Sequence, residues 1–193
     1  MTRRLLARLG LAVLLVLTGC RGLGSNRSGS GNDQGPVCAV YFSPHGGCTE
    51  HVVQAIRSAR TSIFVQAYSF TSQPITHALI DAYRRGVKVD VILDKSQEHE
   101  RHSTAEWLAR SGVPVEVDAV HAIAHNKVMV IDGQTVLTGS FNFTEAAEQR
   151  NAENLLVVQD PTLAAQYAAN WQAHRVHATP YAGPRGETRQ PTR

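Results

Sequence analysis

His125, Lys127, Thr138, Ser140 and Asn142 are an imidazole, an ammonium, two hydroxyls and an amide, carried on two runs that flank Asp132-Gly133. Asp-Gly between alternating apolar residues is a strong hairpin signal and favours a two-residue type I′ turn. That turn pairs Ile131 with Gln134, Lys127 with Thr138 and His125 with Ser140. Directly opposed residues share a face of the sheet, as do residues two apart along a strand. The five side chains are therefore expected on one patch at the open end of the hairpin. Val128, Val130 and Leu137 would take the other face as core.

A phosphate suits such a patch. Lys127 offers charge to the non-bridging oxygens, and Ser140 and Asn142 offer fixed hydrogen-bond donors. His125 has a nitrogen able to attack phosphorus or to exchange protons near neutral pH. No group of carboxylates suggests magnesium, so neither a metal nor a cofactor is expected here. Asp132 has the opposite parity to His125 and is a favoured turn residue, which makes it mainly structural. Gly139 reads as a backbone requirement or a close approach.

The fixed order His125, Lys127, Asp132, Gly139, Ser140, Asn142 resembles the signature of the phospholipase D superfamily, with every spacing kept. The text around 138–144 and Asn151-Ala152-Glu153-Asn154 is similar to the small bacterial endonucleases of that superfamily. Tyr41-Phe42-Ser43-Pro44 and Cys48-Thr49-Glu50 are similar to the start of the mitochondrial cardiolipin hydrolase group. The resemblance implies that His125 forms a phosphohistidine and that Glu153 orients the imidazole. It also implies that a second motif supplies the acid for the leaving group. One copy is present here, so the resemblance implies a homodimer with a composite active site. Nucleic acid is the expected substrate and membrane phospholipid the alternative. A catalytically silent envelope binding protein is a third possibility, against which the intact motif argues.

Strands and helices alternate around this hairpin. Strands are expected over 37–43, 62–69, 87–93, 113–117 and 154–158, besides 127–131 and 135–138. Helices are expected over 49–59, 73–85, 103–110 and 162–174, with Thr49 and Ser72 as N-caps. The nearly continuous apolar run at 87–93 suits a strand covered on both faces. The pattern implies an α/β fold: a mixed, mostly parallel central sheet flanked by helices. Trp107 and Trp171 sit at helical positions and read as core. His99 and His102, beside Glu98 and Glu100, read as a polar helix face. His121 is expected near the mouth of the cleft.

The ends of the chain read differently. Residues 1–19 pair a basic start (Arg3, Arg4, Arg8) with an apolar run too short to span a bilayer, which marks an export signal. It closes on Leu17-Thr18-Gly19-Cys20, which resembles the lipobox of bacterial lipoproteins and implies a lipid on Cys20 and anchorage to the cell envelope. An ordinary signal peptide is the alternative. Residues 20–36 form a Gly/Ser-rich tether, 37–176 the catalytic domain, and 177–193 a tail expected to be disordered. The chain has 19 basic and 16 acidic residues, and removing the three leader arginines brings the two into balance. Global charge thus gives no support to nucleic-acid binding, which would need a locally positive cleft. In an exported protein Cys38 and Cys48 read as a disulfide. A zinc site with His45 and His51 is the other reading.

Overall fold

The computed structural model describes residues 37–183. The export signal, Cys20 and the tether lie outside them, as does the tail beyond 183.

Apolar runs and capping residues set the elements. Strand β1 (Val37–Ser43) is followed by α1 (Cys48–Ser58), β2 (Ser62–Ala67), α2 (Gln73–Arg84) and β3 (Lys88–Asp94). Then come α3 (Ala105–Arg110), β4 (Val115–Asp118) and the hairpin β5 (Lys127–Ile131) and β6 (Thr135–Gly139). Helix α4 (Glu145–Gln149), β7 (Glu153–Gln159), α5 (Pro161–Arg175) and β8 (Thr179–Pro180) follow within the described residues. Asp160 caps α5 by accepting from the N–H groups of Thr162 and Leu163, with Pro161 in the tolerated first position. Helix α1 is capped differently from expectation. It starts at Cys48, and its open N–H groups are met by Glu148 of α4, which accepts from Gly47 at 3.0 Å and Thr49 at 2.7 Å.

The strands form one eight-stranded sheet in the order β1-β7-β6-β5-β2-β3-β4-β8. It is mixed and flanked by helices, as expected, but its parallel part is smaller than expected. Among the named strands of the described residues, β2–β3 and β3–β4 run parallel, while the other pairings are antiparallel. Parallel neighbours need a crossover, and α2 and α3 provide the two that exist; the hairpin and the longer returns reverse direction.

One face buries Ile63, Val65, Val89, Val91, Leu93, Met129, Ile131, Leu137 and Leu155 with residues of α1, α2 and α3. The other buries Val128, Val130 and Val136 under Ala164 of α5, and Phe64 stacks on Trp171, whose indole N–H donates to the Val65 carbonyl. Trp171 is core as expected. Trp107 is not: it is 38% exposed at the surface of α3, edge-on to His77.

Two further expectations are corrected. Order continues past 176. Thr179–Pro180 adds an edge strand to β4, where proline is tolerated, and the Tyr181 N–H donates to the Val115 carbonyl. Cys38 and Cys48 are both free. Cys38 is exposed near the start of β1, about 16 Å of strand before Ser43. Cys48 is buried beyond the other end, whereas a disulfide needs Cα atoms within about 7 Å. Nor do His45 and His51 gather around the thiols; His51 stacks on Tyr41 at 3.5 Å. Burial, and then the nearby Glu148 carboxylate, push the Cys48 thiol up, which keeps it unreactive.

Candidate active site

The hairpin forms its turn and then departs from the expected register. Asp132 and Gly133 have φ of 54° and 62°, and the Gln134 N–H donates to the Ile131 carbonyl at 3.0 Å. Gln134 is then left out of the ladder, with its carbonyl accepting from Asp160 at the cap of α5. Ile131 therefore pairs with Thr135, Val130 with Val136 and Met129 with Leu137. A one-residue slip of this kind moves a strand's side chains to the other face. Leu137 accordingly joins Met129 in the core under the helices α1–α3, and Thr138, its neighbour, leaves the expected patch.

A second irregularity follows at Gly139. Its φ is 139°, and a Cβ there would overlap the Asn154 carbonyl. The N–H groups of Ser140 and Phe141 both donate to that one carbonyl, at 3.1 Å each, which is a bulge. The bulge ends β6 and redirects the chain. The side chain of Ser140 accepts from the backbone N–H of Asn154 at 3.0 Å and from its amide at 3.3 Å. Gly139 is thus a backbone requirement.

Topology gathers the motif at one end of the sheet. The C-terminal ends of β2 and β6 meet the N-terminal ends of β5 and β7 there, with Ala67 beside Lys127 and Gly139 beside Leu155. His125 is exposed, just before β5, and its ring lies 4.6 Å from that of Tyr68. Lys127 is 7% exposed. Its ammonium donates to the His125 carbonyl at 2.9 Å and sits 5.0 Å over the Tyr68 ring. Burial lowers the Lys127 pKa, and the Glu153 carboxylate pulls it partly back. Glu153 accepts from the Asn151 amide at 3.3 Å, on the rung of Ser43, whose hydroxyl donates to the Asn151 carbonyl. Among the described residues the ring neighbour of His125 is Tyr68, and the influence of Glu153 falls on Lys127.

Asn142 brings an open valence. Its Oδ1 is buried and has no hydrogen-bond partner. Turning the amide over would present its NH₂ in the same place, so either an oxyanion or a donor can be met there. Asp132 stands apart, at the far end of β5, about 17 Å of strand from Lys127. Its carboxylate accepts from the N–H groups of Arg60, Thr61 and Ser62 and from the Thr61 hydroxyl, fastening the turn between α1 and β2. Burial pushes its pKa up, and those donors outweigh it, leaving the group below the usual carboxylate range.

Three features had no signal in the sequence reading. Tyr68 is one strand away from the motif. Asp94, 2% exposed at the end of β3, accepts from the Ala124 N–H at 2.7 Å and so holds the residue before His125. The third is a cluster of Asp118, His121, His174 and His177, whose ligand atoms lie within 4.8 Å of one another. A cleft of about 470 Å³ runs between Tyr68, Lys95, His99 and Ile123, beside the His125 loop.

Comparison with known proteins fits this geometry. Residues 52–175 match the family described as cardiolipin synthase, PLD-like domain. A protein of Rickettsia bellii named phospholipase D is 46% identical over 137 residues, which is 71% of this chain and 68% of that protein. A mitochondrial cardiolipin hydrolase of Chlamydomonas reinhardtii is 33% identical, over 57% of this chain and 49% of that protein. The crystal structure of Nuc, a phospholipase D family member from Salmonella typhimurium, superposes with a TM-score of 0.73 at 41% identity, covering 76% of this chain and 99% of that one.

Proposed function

The chain belongs to the phospholipase D superfamily of phosphodiesterases, and from that premise we propose that it is a metal-independent, non-specific endonuclease working through His125. The observation that carries the reading is the grouping of an exposed imidazole with a buried ammonium bonded to the same residue's backbone. An imidazole nitrogen of His125 attacks phosphorus, and the bond to the leaving oxygen breaks as the nitrogen–phosphorus bond forms. Lys127 and Asn142 take up the charge on the non-bridging oxygens, while Ser140 fixes Asn154 and the bulge beside them. Glu153, the residue that the family likeness gives for orienting His125, supports the charge on Lys127. Water then attacks the phosphohistidine, and the nitrogen–phosphorus bond breaks.

The leaving oxygen needs a proton, and the attacking water must lose one. A single motif offers no second imidazole, so we assign both tasks to His125 of a second copy. An uncovered part of the sheet supports that pairing. Val40 and Phe42 on β1 are 47% and 63% exposed, and Phe42 pairs with Asn154, the partner of Ser140. The same reading takes the chain as an exported lipoprotein anchored through Cys20.

Nucleic acid is favoured by the single short motif and by the likeness of 138–144 and 151–154 to the small bacterial endonucleases. Phospholipid is the second reading, favoured by the names of the rickettsial and mitochondrial relatives. The test runs single- and double-stranded DNA, RNA and phospholipid vesicles side by side in EDTA, with His125→Ala as control. Strand cleavage without headgroup release is expected. Headgroup release without strand cleavage would transfer the assignment to a phospholipase, and turnover by His125→Ala would end the nucleophile assignment.

A further inference from the structure

Asp118 ends β4 with its side chain wholly buried. Two short stretches of sequence converge on it. One is its own, with His121 three residues on. The other is the end of α5, where His174 and His177 are again three apart. The Nδ1 atoms of His121 and His174 lie 2.8 and 2.7 Å from Oδ2 of Asp118, and Nε2 of His177 lies 3.3 Å from the same oxygen. The rings stand 4.7 to 5.5 Å apart.

This is more nitrogen than one carboxylate oxygen can use. His121 and His174 satisfy it with good hydrogen bonds. Nε2 of His177 is buried and lies 3.3 Å from the same oxygen, yet it is left without a well-formed hydrogen bond. Solvated surface histidines do not arrange themselves with three ring nitrogens aimed inward at a buried acid. We propose that Asp118, His121, His174 and His177 form a binding site for a divalent transition metal, with zinc the ion it fits best.

The chemistry of the donors selects that class. Imidazole nitrogens suit zinc, copper and nickel, whereas magnesium and calcium call for oxygens. Three nitrogens and one oxygen make a tetrahedral zinc set. Zinc bonds of about 2.0–2.1 Å place such ligand atoms roughly 3.4 Å apart. The nitrogen–oxygen separations are 2.7, 2.8 and 3.3 Å and all four ligand atoms lie within 4.8 Å of one another, so side-chain movement would bring them to that spacing. The acid is already held in place, since its other oxygen accepts from the Val120 N–H at 3.1 Å. Four protein ligands leave no open position, so the ion would be structural. It would clasp the end of α5, and the segment running into β8, to the loop that leaves β4. That loop is also tied down by Lys95, which donates to the His121 carbonyl, and it runs on to His125. The site is separate from the phosphate patch and does not depend on the role of His125.

The test is metal content and binding on the purified full-length chain, stripped with a chelator and dialysed against zinc or cobalt(II). One ion per chain is expected, with the intense visible bands of tetrahedral cobalt and a higher melting temperature. His121→Ala and His177→Ala alter side chains that are 44% and 31% exposed, so the fold should survive each. Each should weaken zinc binding by at least the 10–100-fold typical of losing an outer-shell partner. Substoichiometric binding by the parent chain would overturn the proposal. So would binding that survives both substitutions in a chain with native circular dichroism, or binding lost instead in His45→Ala/Cys48→Ser.

Discussion

Two histidine sites lie at the same end of one sheet and use the same side chain in opposite ways. Lys127, Ala67, Leu93 and Val117 share a row across β5, β2, β3 and β4. The His125 patch and Asp118 are therefore about 14 Å apart by strand spacing. At the first site a single exposed imidazole stands beside an aromatic ring, and a buried ammonium bonds the carbonyl of the same residue. At the second, three imidazoles turn their nitrogens onto a buried carboxylate. A nucleophile needs a reachable lone pair and room for phosphorus, while a structural ligand needs its lone pair aimed inward and its ring held. What each nitrogen is aimed at separates the two roles where residue type does not: a buried acid at Asp118 and, among the described residues, no such acid at His125.

The largest effect should come from His125→Ala. Removing a nucleophile should lower turnover by about 10³-fold or more. Zinc content, measured on the same preparation, should stay at the parental value. Loss of both would mean that the two sites are one unit, and the contrast would fall.

Lys127→Met comes next. Loss of a charged group that stabilises developing negative charge should cost on the order of 10²–10³-fold in kcat/KM. The sign of the pH effect follows from its burial. A lowered lysine pKa means that the ammonium is lost at lower pH than usual, so the alkaline limb of the rate profile should lie below the ordinary lysine range. An alkaline limb that Lys127→Arg leaves in place would assign it to another group.

His177→Ala sharpens the comparison from the other side. Zinc at a hundredfold excess over its Kd should raise the parental melting temperature by roughly 5–10 °C, and this variant should lose most of that rise. Its cleavage rate per folded molecule should fall far less than that of His125→Ala. A loss as large as the nucleophile's would show that the clasp sets the geometry of the His125 loop.

Asp132→Asn should have the smallest effect on chemistry and a clear one on stability. It weakens a carboxylate with four donors, for a cost of about 2 kcal/mol, read by urea unfolding. The Asp132 pKa is lower folded than unfolded. Its stabilisation is therefore present above the unfolded pKa and fades as pH falls through the folded one. The gap between parent and variant should close on acidification. A constant gap would place the cost elsewhere.

The parts legible in the sequence are those set by local chemistry. The Asp132-Gly133 turn and the apolar strands follow from φ preferences and alternation. So does the presence of His125, Lys127, Ser140 and Asn142 at one end of a hairpin, because residue spacing fixes which strand carries each. Tertiary structure decided the rest. The hairpin register moved by one because Gln134 gave its carbonyl to Asp160, and the bulge at Gly139 exists because β7 brings the Asn154 carbonyl against it. Local pattern cannot carry either fact, since both depend on a strand and a cap more than ten residues away. Distance along the chain likewise hid Tyr68, Asp94 and the pairing of Asp118 with His174. In the same way Cys38 and Cys48 looked like neighbours by sequence, until a strand of about 16 Å set them apart.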